Sequence, residues 1–270
     1  MIHYIASNTS FLTGTKTLEP LYTIQNFPVF IGCTDKDQKE DMYADMEFSI
    51  CTETGMIQLS KLLPPDLVYS GYHSEAVGGV WKKHFEEFAQ FILEQNPRSI
   101  LEIGGGNGQL VTLLNEQNPQ IKFTVIEPTP GPNLLALRDK YGEDRLRIIP
   151  AFFDKNFKFD AEVDTIVHTN VLEHAYDPLG FLRNVHSILK VGDKHIFGIP
   201  SIYVQLQNHQ PNALNYEHTY LVSDEIIDYW MSKFGFKVLK KYYLGEHSIF
   251  YACEKAEVGT EPTPIRRYDE

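Results

Sequence analysis

Apolar and polar positions change their rhythm partway along the chain. In "VWKKHFEEFAQFILEQN" the apolar residues Trp81, Phe85, Phe88, Phe91 and Ile92 recur at three- to four-residue intervals. That spacing places them on one face of a helix. Beyond it, short apolar runs alternate with helical periods. "RSILEIG", "IKFTVIEP", "RLRIIPAFF", "DTIVHTNV" and "KHIFGIP" predict strands. "GQLVTLLNEQ", "NLLALRDKYG", "PLGFLRNVHSILKVG" and "SDEIIDYWMSKFG" predict helices. Such alternation specifies an α/β fold with a mostly parallel sheet and helices on both faces. "FKVLKKYYL" and "HSIFYACEK" add two strands joined by a short turn at "GE". A connection that short permits a hairpin, so one of the seven strands runs antiparallel.

Residues 1–75 follow neither rhythm. Pro20, Pro28, Pro64 and Pro65 interrupt short β-rich pieces such as "FPVFIG" and "MEFSICTETGMIQLS". They predict a small, irregular, β-containing unit, placed as an acceptor-side element or lid. The expected division is this unit, a main domain over 76–256 and an extended tail over 257–270.

The 270 residues suffice for one large or two small domains, and 43% hydrophobic content is ordinary for a globular chain. The net charge of −12, with no run rich in Lys or Arg, argues against nucleic acid as partner. No apolar run reaches the roughly 18–20 residues of a membrane span. The start, "MIHYIASNTSFLTG", lacks the pattern of a signal peptide. A cytoplasmic location without membrane association is expected. Cys33, Cys51 and Cys253 form no CxxC, so neither a disulfide framework nor a cysteine zinc site is expected.

Candidate chemistry begins at "SILEIGGGNGQLV", which closes the first predicted strand of the main domain. Four glycines within residues 104–108 let the backbone come close to a ligand. The dinucleotide fingerprint G-x-G-x-x-G, read from Gly104, needs a glycine where Gln109 stands, and it fails from Gly105 and Gly106 as well. What fits is Glu102-x-Gly104-x-Gly106-x-Gly108. Glu127, at the end of the next strand, can accept both hydroxyl hydrogens of an adenosine ribose. Dehydrogenases use the same device, so Glu127 points to adenosine without naming the cofactor.

The glycine pattern resembles motif I of class I S-adenosylmethionine-dependent methyltransferases. The resemblance implies a Rossmann-like sheet of seven strands and S-adenosylmethionine as cofactor. It implies that Gly104, Gly105, Gly106, Asn107 and Gly108 line the methionine part, and that Glu102 lies near its amino group. "AFFD" falls where the family contacts the adenine, with Phe152 or Phe153 over the base; a core role is the alternative for either ring. "DTIVHTNVLEHAYDP" resembles the family's fourth strand and following loop, and Asn170 within it is read as a cofactor contact.

"VLEHAYDP" and "NYEHTYLVS" resemble two motifs of the sugar C-methyltransferase-like family, with Glu217, His218 and Ser223 at matching places. Leu221 takes the place of the family's usual aromatic, beside Tyr220. "GEHSIFYAC" resembles a later family strand without its two glycines. "CTETGMIQLSKLLPPDLVYSGYHS" resembles the end of the family's zinc-binding unit and the tyrosine loop after it. The resemblance spans roughly residues 25–255. The four-cysteine zinc set is reduced to Cys33 and Cys51, with Gly55 near a third position, so no metal is expected. The family's further C-terminal domain has no counterpart after the last strand, so a different or smaller acceptor is expected.

Methyl transfer is an in-line displacement in which the cofactor supplies the electrophile and the protein supplies alignment. A hydroxyl acceptor must also lose a proton, and histidine serves that need at neutral pH. His218 is the first candidate base, with Glu217 orienting or polarising the site, and His174 is the second candidate base or a group that hydrogen-bonds the acceptor. Tyr72 resembles the family's active-site tyrosine, with Tyr69 as the alternative. His209 is an outlying candidate. Most of the ten histidines must be structural. The expected function is methyl transfer to a hydroxyl of a small polar acceptor, a sugar or nucleotide-linked sugar. Carbon methylation of a keto-sugar nucleotide is its rival. A nicotinamide-dependent oxidoreductase is opposed by the failed fingerprint. A silent binding module is opposed by the presence of Glu102, Glu127, Glu217 and His218.

Overall fold

The computed structural model describes residues 3–30, 37–69, 78–210 and 213–257. The N-terminal part holds strands β1 (Ile5–Ala6), β2 (Leu18–Pro28), β3 (Tyr43–Cys51), β4 (Ile57–Leu59) and β5 (Lys61–Leu62), then the short helix α1 (Pro65–Val68). Strand β2 is longer than the sequence suggests. It is the edge of a three-stranded antiparallel sheet, order β2-β3-β4, and its register slips between Pro20 and Tyr22 and again between Ile24 and Phe27. A proline has no N–H for the ladder and is tolerated at an edge or bulge. The exposed outer strand therefore carries no clean alternation.

The main sheet follows the predicted order of elements. Helix α2 (Gly79–Leu93) leads to β6 (Ser99–Ile103), α3 (Gln109–Gln117), β7 (Lys122–Ile126), α4 (Pro132–Tyr141), β8 (Leu146–Ile149) and β9 (Thr165–Thr169). Then come α5 (Pro178–Ile188), β10 (Lys194–Pro200), α6 (Ile202–Gln207), α7 (Asp224–Lys233), β11 (Phe236–Leu244) and β12 (Ser248–Lys255). Helix α6 is too short to show a period and is not legible in the sequence. The seven strands lie in the order β11-β12-β10-β9-β6-β7-β8. Only β12 opposes the others, pairing antiparallel with both β10 and β11.

Side chains of a strand alternate between faces, and β6 shows the result. Leu101 and Ile103 join one core with Phe181, Leu182 and Val185 of α5 and Ile227 and Trp230 of α7. Ile100 joins the other, with Phe88 and Ile92 of α2, Leu110 of α3 and Leu134 of α4. Two side chains set where the first face's helices begin. Asp177 accepts the Gly180 amide at 2.8 Å, and Ser223 accepts the Ile226 amide at 3.3 Å. Ser223 thus has a capping role in α7.

The N-terminal part shares the first of these cores: Leu12 of the turn before β2 belongs to it, as do Met46, Cys51 and Leu59 of β3 and β4. Strand β4 also extends onto the segment before α7. The Leu59 amide donates to the Thr219 carbonyl and the Leu221 amide to the Ile57 carbonyl, each at 2.9 Å. The Tyr176 hydroxyl donates to the Leu63 carbonyl at 2.6 Å. The N-terminal unit thereby braces the chain that carries Glu217 and His218.

Strand order reverses between β6 and β9, and ligands of open α/β sheets bind beyond the strand ends at such a switch. Three histidines sit in or against this sheet. His84 bonds the Ser248 hydroxyl through Nδ1 at 3.1 Å and the Thr169 hydroxyl through Nε2 at 2.8 Å. His168 and His195 are hydrogen-bonded through their Nε2 atoms, 2.9 Å apart, and neither Nδ1 has a partner among the described residues. Burial holds His84 and His168 down to about 3. Burial, then His168, pushes His195 well below its ordinary value.

In the unfolded chain each of these rings binds a proton near pH 6.5. Stability is therefore intact above that pH and falls as pH drops below it, by about 1.4 kcal/mol per unit for each ring. The double variant His168→Phe/His195→Phe is expected to reduce the acid-side slope by roughly 2.7 kcal/mol per pH unit. Urea unfolding between pH 6.5 and pH 5 measures it; an unchanged slope refutes the assignment.

Candidate active site

The glycine turn follows β6 directly. Gly104 donates its amide to the Ile126 carbonyl at 2.8 Å, and Gly108 donates to Gly105 at 2.8 Å. Gly104, Gly106 and Gly108 have φ of +76°, +51° and +82°, a region that glycine enters without penalty. Space decides the rest. A Cβ on Gly105 would lie 2.3 Å from Val125 Cγ1, and one on Gly104 would lie 2.7 Å from Val171 Cγ2. A Cβ on Gly106 would meet nothing within 4 Å. The turn is packed beneath and open above.

Glu127 closes the turn from β7. Its Oε2 accepts the Gly106 amide and its Oε1 accepts the Thr129 amide, each at 2.9 Å. Each oxygen keeps a second lone pair for a ligand hydroxyl. Asn107 braces the turn against α4: its Oδ1 accepts the Asn133 amide at 2.8 Å, and its carbonyl accepts the Asn133 side chain at 2.9 Å. Glu102 is only 5% exposed. Burial first, and the nearby Glu127 charge second, push its carboxyl up to about 8. A cationic amino group beside it would reverse that shift.

The two phenylalanines separate. Phe153 is turned into the core, its ring 5.4 Å from Phe157 and 5.0 Å from Phe181. Phe153 is partly buried and packs against that core, in line with the core role given as the alternative for either ring. Phe152 is 54% exposed, edge-on to Tyr69 at 6.4 Å. Asn170, just after β9, has φ of +53° and accepts the Thr169 hydroxyl at 3.0 Å.

A second cluster forms where the loop after β9 meets the loop before α7. His174 ends a 3-10 turn over Leu172–His174. The Thr219 amide donates to the Glu173 carbonyl at 3.0 Å, and the Thr219 hydroxyl donates to the Ala175 carbonyl at 3.0 Å. The Tyr220 hydroxyl donates to the Leu172 carbonyl. These bonds bring the His174 and His218 rings to 5.3 Å between centroids. His174 Nδ1 stands 3.8 Å from Glu217 Oε2. Asn215 Oδ1 accepts the amides of Glu217 and His218 at 2.9 and 2.8 Å, which fixes their turn. His218 Nδ1 lies 2.7 Å from the Ala213 carbonyl and donates to it. The neutral ring therefore carries its lone pair on Nε2. Burial lowers the proton affinity of that ring.

A cavity of about 750 Å³ opens on this cluster, walled by Asn170, His174, Glu217 and His218 together with Trp81, Gln205, Gln210, Asn215 and His247. The glycine turn and Glu127 lie outside its walls; of the candidate cofactor residues, Asn170 alone lines it. Tyr72 lies outside the described residues. Tyr69 is described: burial, then the charge of Glu217, raises its phenol, which places it beside the cluster. His209 is exposed and is not among the wall residues. Sequence reasoning missed Glu173, which is fully buried, and Trp81, Gln205 and His247 of the wall. The signal for Glu173 was present: "LEH" repeats the Glu-His pair of "YEH".

Residues 75–241 match the family model described as a methyltransferase domain, and the chain belongs to that family. The chain carries a class I S-adenosylmethionine-dependent methyltransferase domain. A curated relative, the tRNA U34 carboxymethyltransferase of Desulforapulum autotrophicum, is 29% identical over 110 residues, covering 40% of this chain and 34% of its own. The chain thus spans about a third of that relative's length. An O-methyltransferase family protein from Burkholderia thailandensis is similar in structure, with a TM-score of 0.51 at 12% identity, over 66% of this chain and 57% of that one. The N-methyltransferase NodS from Bradyrhizobium japonicum, solved with S-adenosyl-l-homocysteine, gives 0.51 at 15% identity, over 67% and 90%. At these identities the two structures establish a shared fold.

The open and packed sides of the glycine turn give separate outcomes. Gly105→Ala is expected to destabilise the fold by about 1–3 kcal/mol, because Val125 must move. Gly106→Ala adds its methyl to open space, so its folding cost is limited to the roughly 1–2 kcal/mol of a left-handed backbone, and it is expected to weaken S-adenosylhomocysteine binding as well. Thermal unfolding and calorimetry of the two variants check the contrast, and equal melting losses with equal affinities contradict it.

Proposed function

We propose that this chain transfers a methyl group from S-adenosylmethionine to a hydroxyl of a small polar acceptor, a sugar or nucleotide-linked sugar. The observation that carries the reading is the cavity beside Asn170. It presents two histidines, a carboxylate, amide side chains and the Trp81 ring within one enclosure. Amides and carboxylates suit a polyhydroxylated ligand, and an aromatic ring suits its apolar face. The resemblance of "VLEHAYDP" and "NYEHTYLVS" to sugar-modifying methyltransferases points the same way.

The residues divide by place. Gly104, Gly105, Gly106, Asn107 and Gly108 shape the turn that takes the methionine part, Glu102 faces its ammonium, and Glu127 accepts from the ribose. Phe152 and Asn170 border the adenosine. Bound S-adenosylmethionine supplies the electrophilic methyl group. His218 Nε2 takes the acceptor proton, and the Ala213 carbonyl holds the ring in the tautomer that leaves this nitrogen free to do so. Glu217 and His174 orient the acceptor. Because burial lowers the proton affinity of His218, its lone pair persists to lower pH than that of an exposed histidine.

His218→Ala is expected to lower turnover by roughly two to four decades with cofactor binding retained. Near-normal turnover removes His218 as base. Glu127→Ala is expected to weaken S-adenosylmethionine binding in calorimetry. In the free protein Glu102 holds its proton up to about pH 8 and must release it to pair with an ammonium. S-adenosylhomocysteine affinity is then expected to fall as pH drops below 8, by up to about tenfold per unit. Glu102→Gln flattens that profile; a flat profile in the unaltered protein overturns the pairing. Incubation with labelled cofactor and a panel of nucleotide sugars identifies the acceptor. NMR of the product places the methyl on oxygen; a new carbon–methyl bond establishes the keto-sugar alternative.

A further inference from the structure

Glu173 has no place in that mechanism, yet it is the most deeply buried acid of the cluster. It is 0% exposed, and neither carboxylate oxygen has a hydrogen-bond partner among the described residues. An unpaired buried carboxylate is costly, so the site calls for a proton or a cation beside it.

The neighbours answer with nitrogen. One oxygen of Glu173 and one ring nitrogen each of His174 and His218 lie within 4.8 Å of one another. His174 Nε2 is 3.8 Å from Glu173 Oε1. Metal-binding histidines hold their far nitrogen on a backbone carbonyl or a carboxylate; His218 does so, and a carboxylate stands near that of His174. His218 Nδ1 is on the Ala213 carbonyl at 2.7 Å, and His174 Nδ1 faces Glu217 Oε2 at 3.8 Å.

We propose that Glu173, His174 and His218 bind one divalent first-row transition-metal ion, zinc by preference, with a remaining coordination position open to the cavity. Two imidazoles and one carboxylate, with no thiolate, are the donor set of open zinc sites, whereas magnesium and calcium favour oxygen donors. Ligand atoms around tetrahedral zinc stand roughly 3.4 Å apart, so closure asks side chains to move by about an ångström. The site differs from the cysteine zinc site of the resembled family, which this sequence lacks. It does not rest on the methyl-transfer reading. The ion would use the same His218 lone pair that the base uses, so the two forms of the site exclude one another.

The test uses the full chain, stripped with a chelator, and Zn²⁺ alone with neither cofactor nor acceptor present. Calorimetry is expected to show one ion per chain with a dissociation constant in the micromolar range or tighter. Co²⁺ in its place is expected to give the visible absorption of a four-coordinate site. Glu173→Gln and His218→Ala are each expected to weaken binding at least tenfold. Glu173→Gln keeps the shape and removes a buried acid, so its fold, read by circular dichroism, survives even if another variant fails. Absence of saturable binding below millimolar Zn²⁺ overturns the proposal. So does undiminished binding in both variants, which places the ion elsewhere on the chain. Turnover of the stripped protein is scored separately and bears only on His218 as base.

Discussion

The Thr219 amide donates to the carbonyl of Glu173, and the cluster depends on that join. It links two loops of the sheet's carboxyl end, each carrying a Glu-His pair. The Thr219 hydroxyl and the Tyr220 phenol add bonds to the same turn, at Ala175 and Leu172. From the other side β4 clamps the segment through Leu59 and Leu221. Buried backbone bonds are expensive to break, because no water replaces the lost partner. The side chains of Glu217 and His218 therefore sit on a segment held from both flanks, although it belongs to neither a strand nor a helix of the main sheet.

That join has an electrostatic consequence. It carries Glu173 out of solvent, just as the packed glycine turn covers Glu102. Both acids are pushed to about 8. The fold thus holds two carboxyl groups whose ionisation depends on what arrives beside them. The histidines of the sheet show the opposite case. His84 has hydroxyl partners on both nitrogens, and His168 and His195 have each other, so burial keeps all three neutral.

The main sheet was legible because its strands and helices keep clean periods. Each of the seven predicted strands is present, and the short "GE" turn correctly marked an antiparallel member, β12. The glycine turn was legible because Gln109 excluded the dinucleotide spacing while Glu102 preserved another. Strand β2 was not, since Pro20 and an exposed edge erase alternation. Phe152 and Phe153 were indistinguishable as neighbours in sequence; only the pocket made by Phe157 and Phe181 decides which one turns inward. Ser223 matched a motif position and proved to cap α7.

By itself the sequence determined the α/β class, the order of the elements and the glycine turn after β6. These are local properties, written in periods and in the steric freedom of glycine. Tertiary structure decided which histidines meet, which acid is buried and which surface becomes a cavity. Those outcomes depend on hydrogen bonds across 44 and more residues, from Thr219 to the turn at Glu173 and Ala175, and on β4 reaching across from the N-terminal sheet. No periodicity encodes such a bond. It forms only once both loops have been placed at one end of the same sheet.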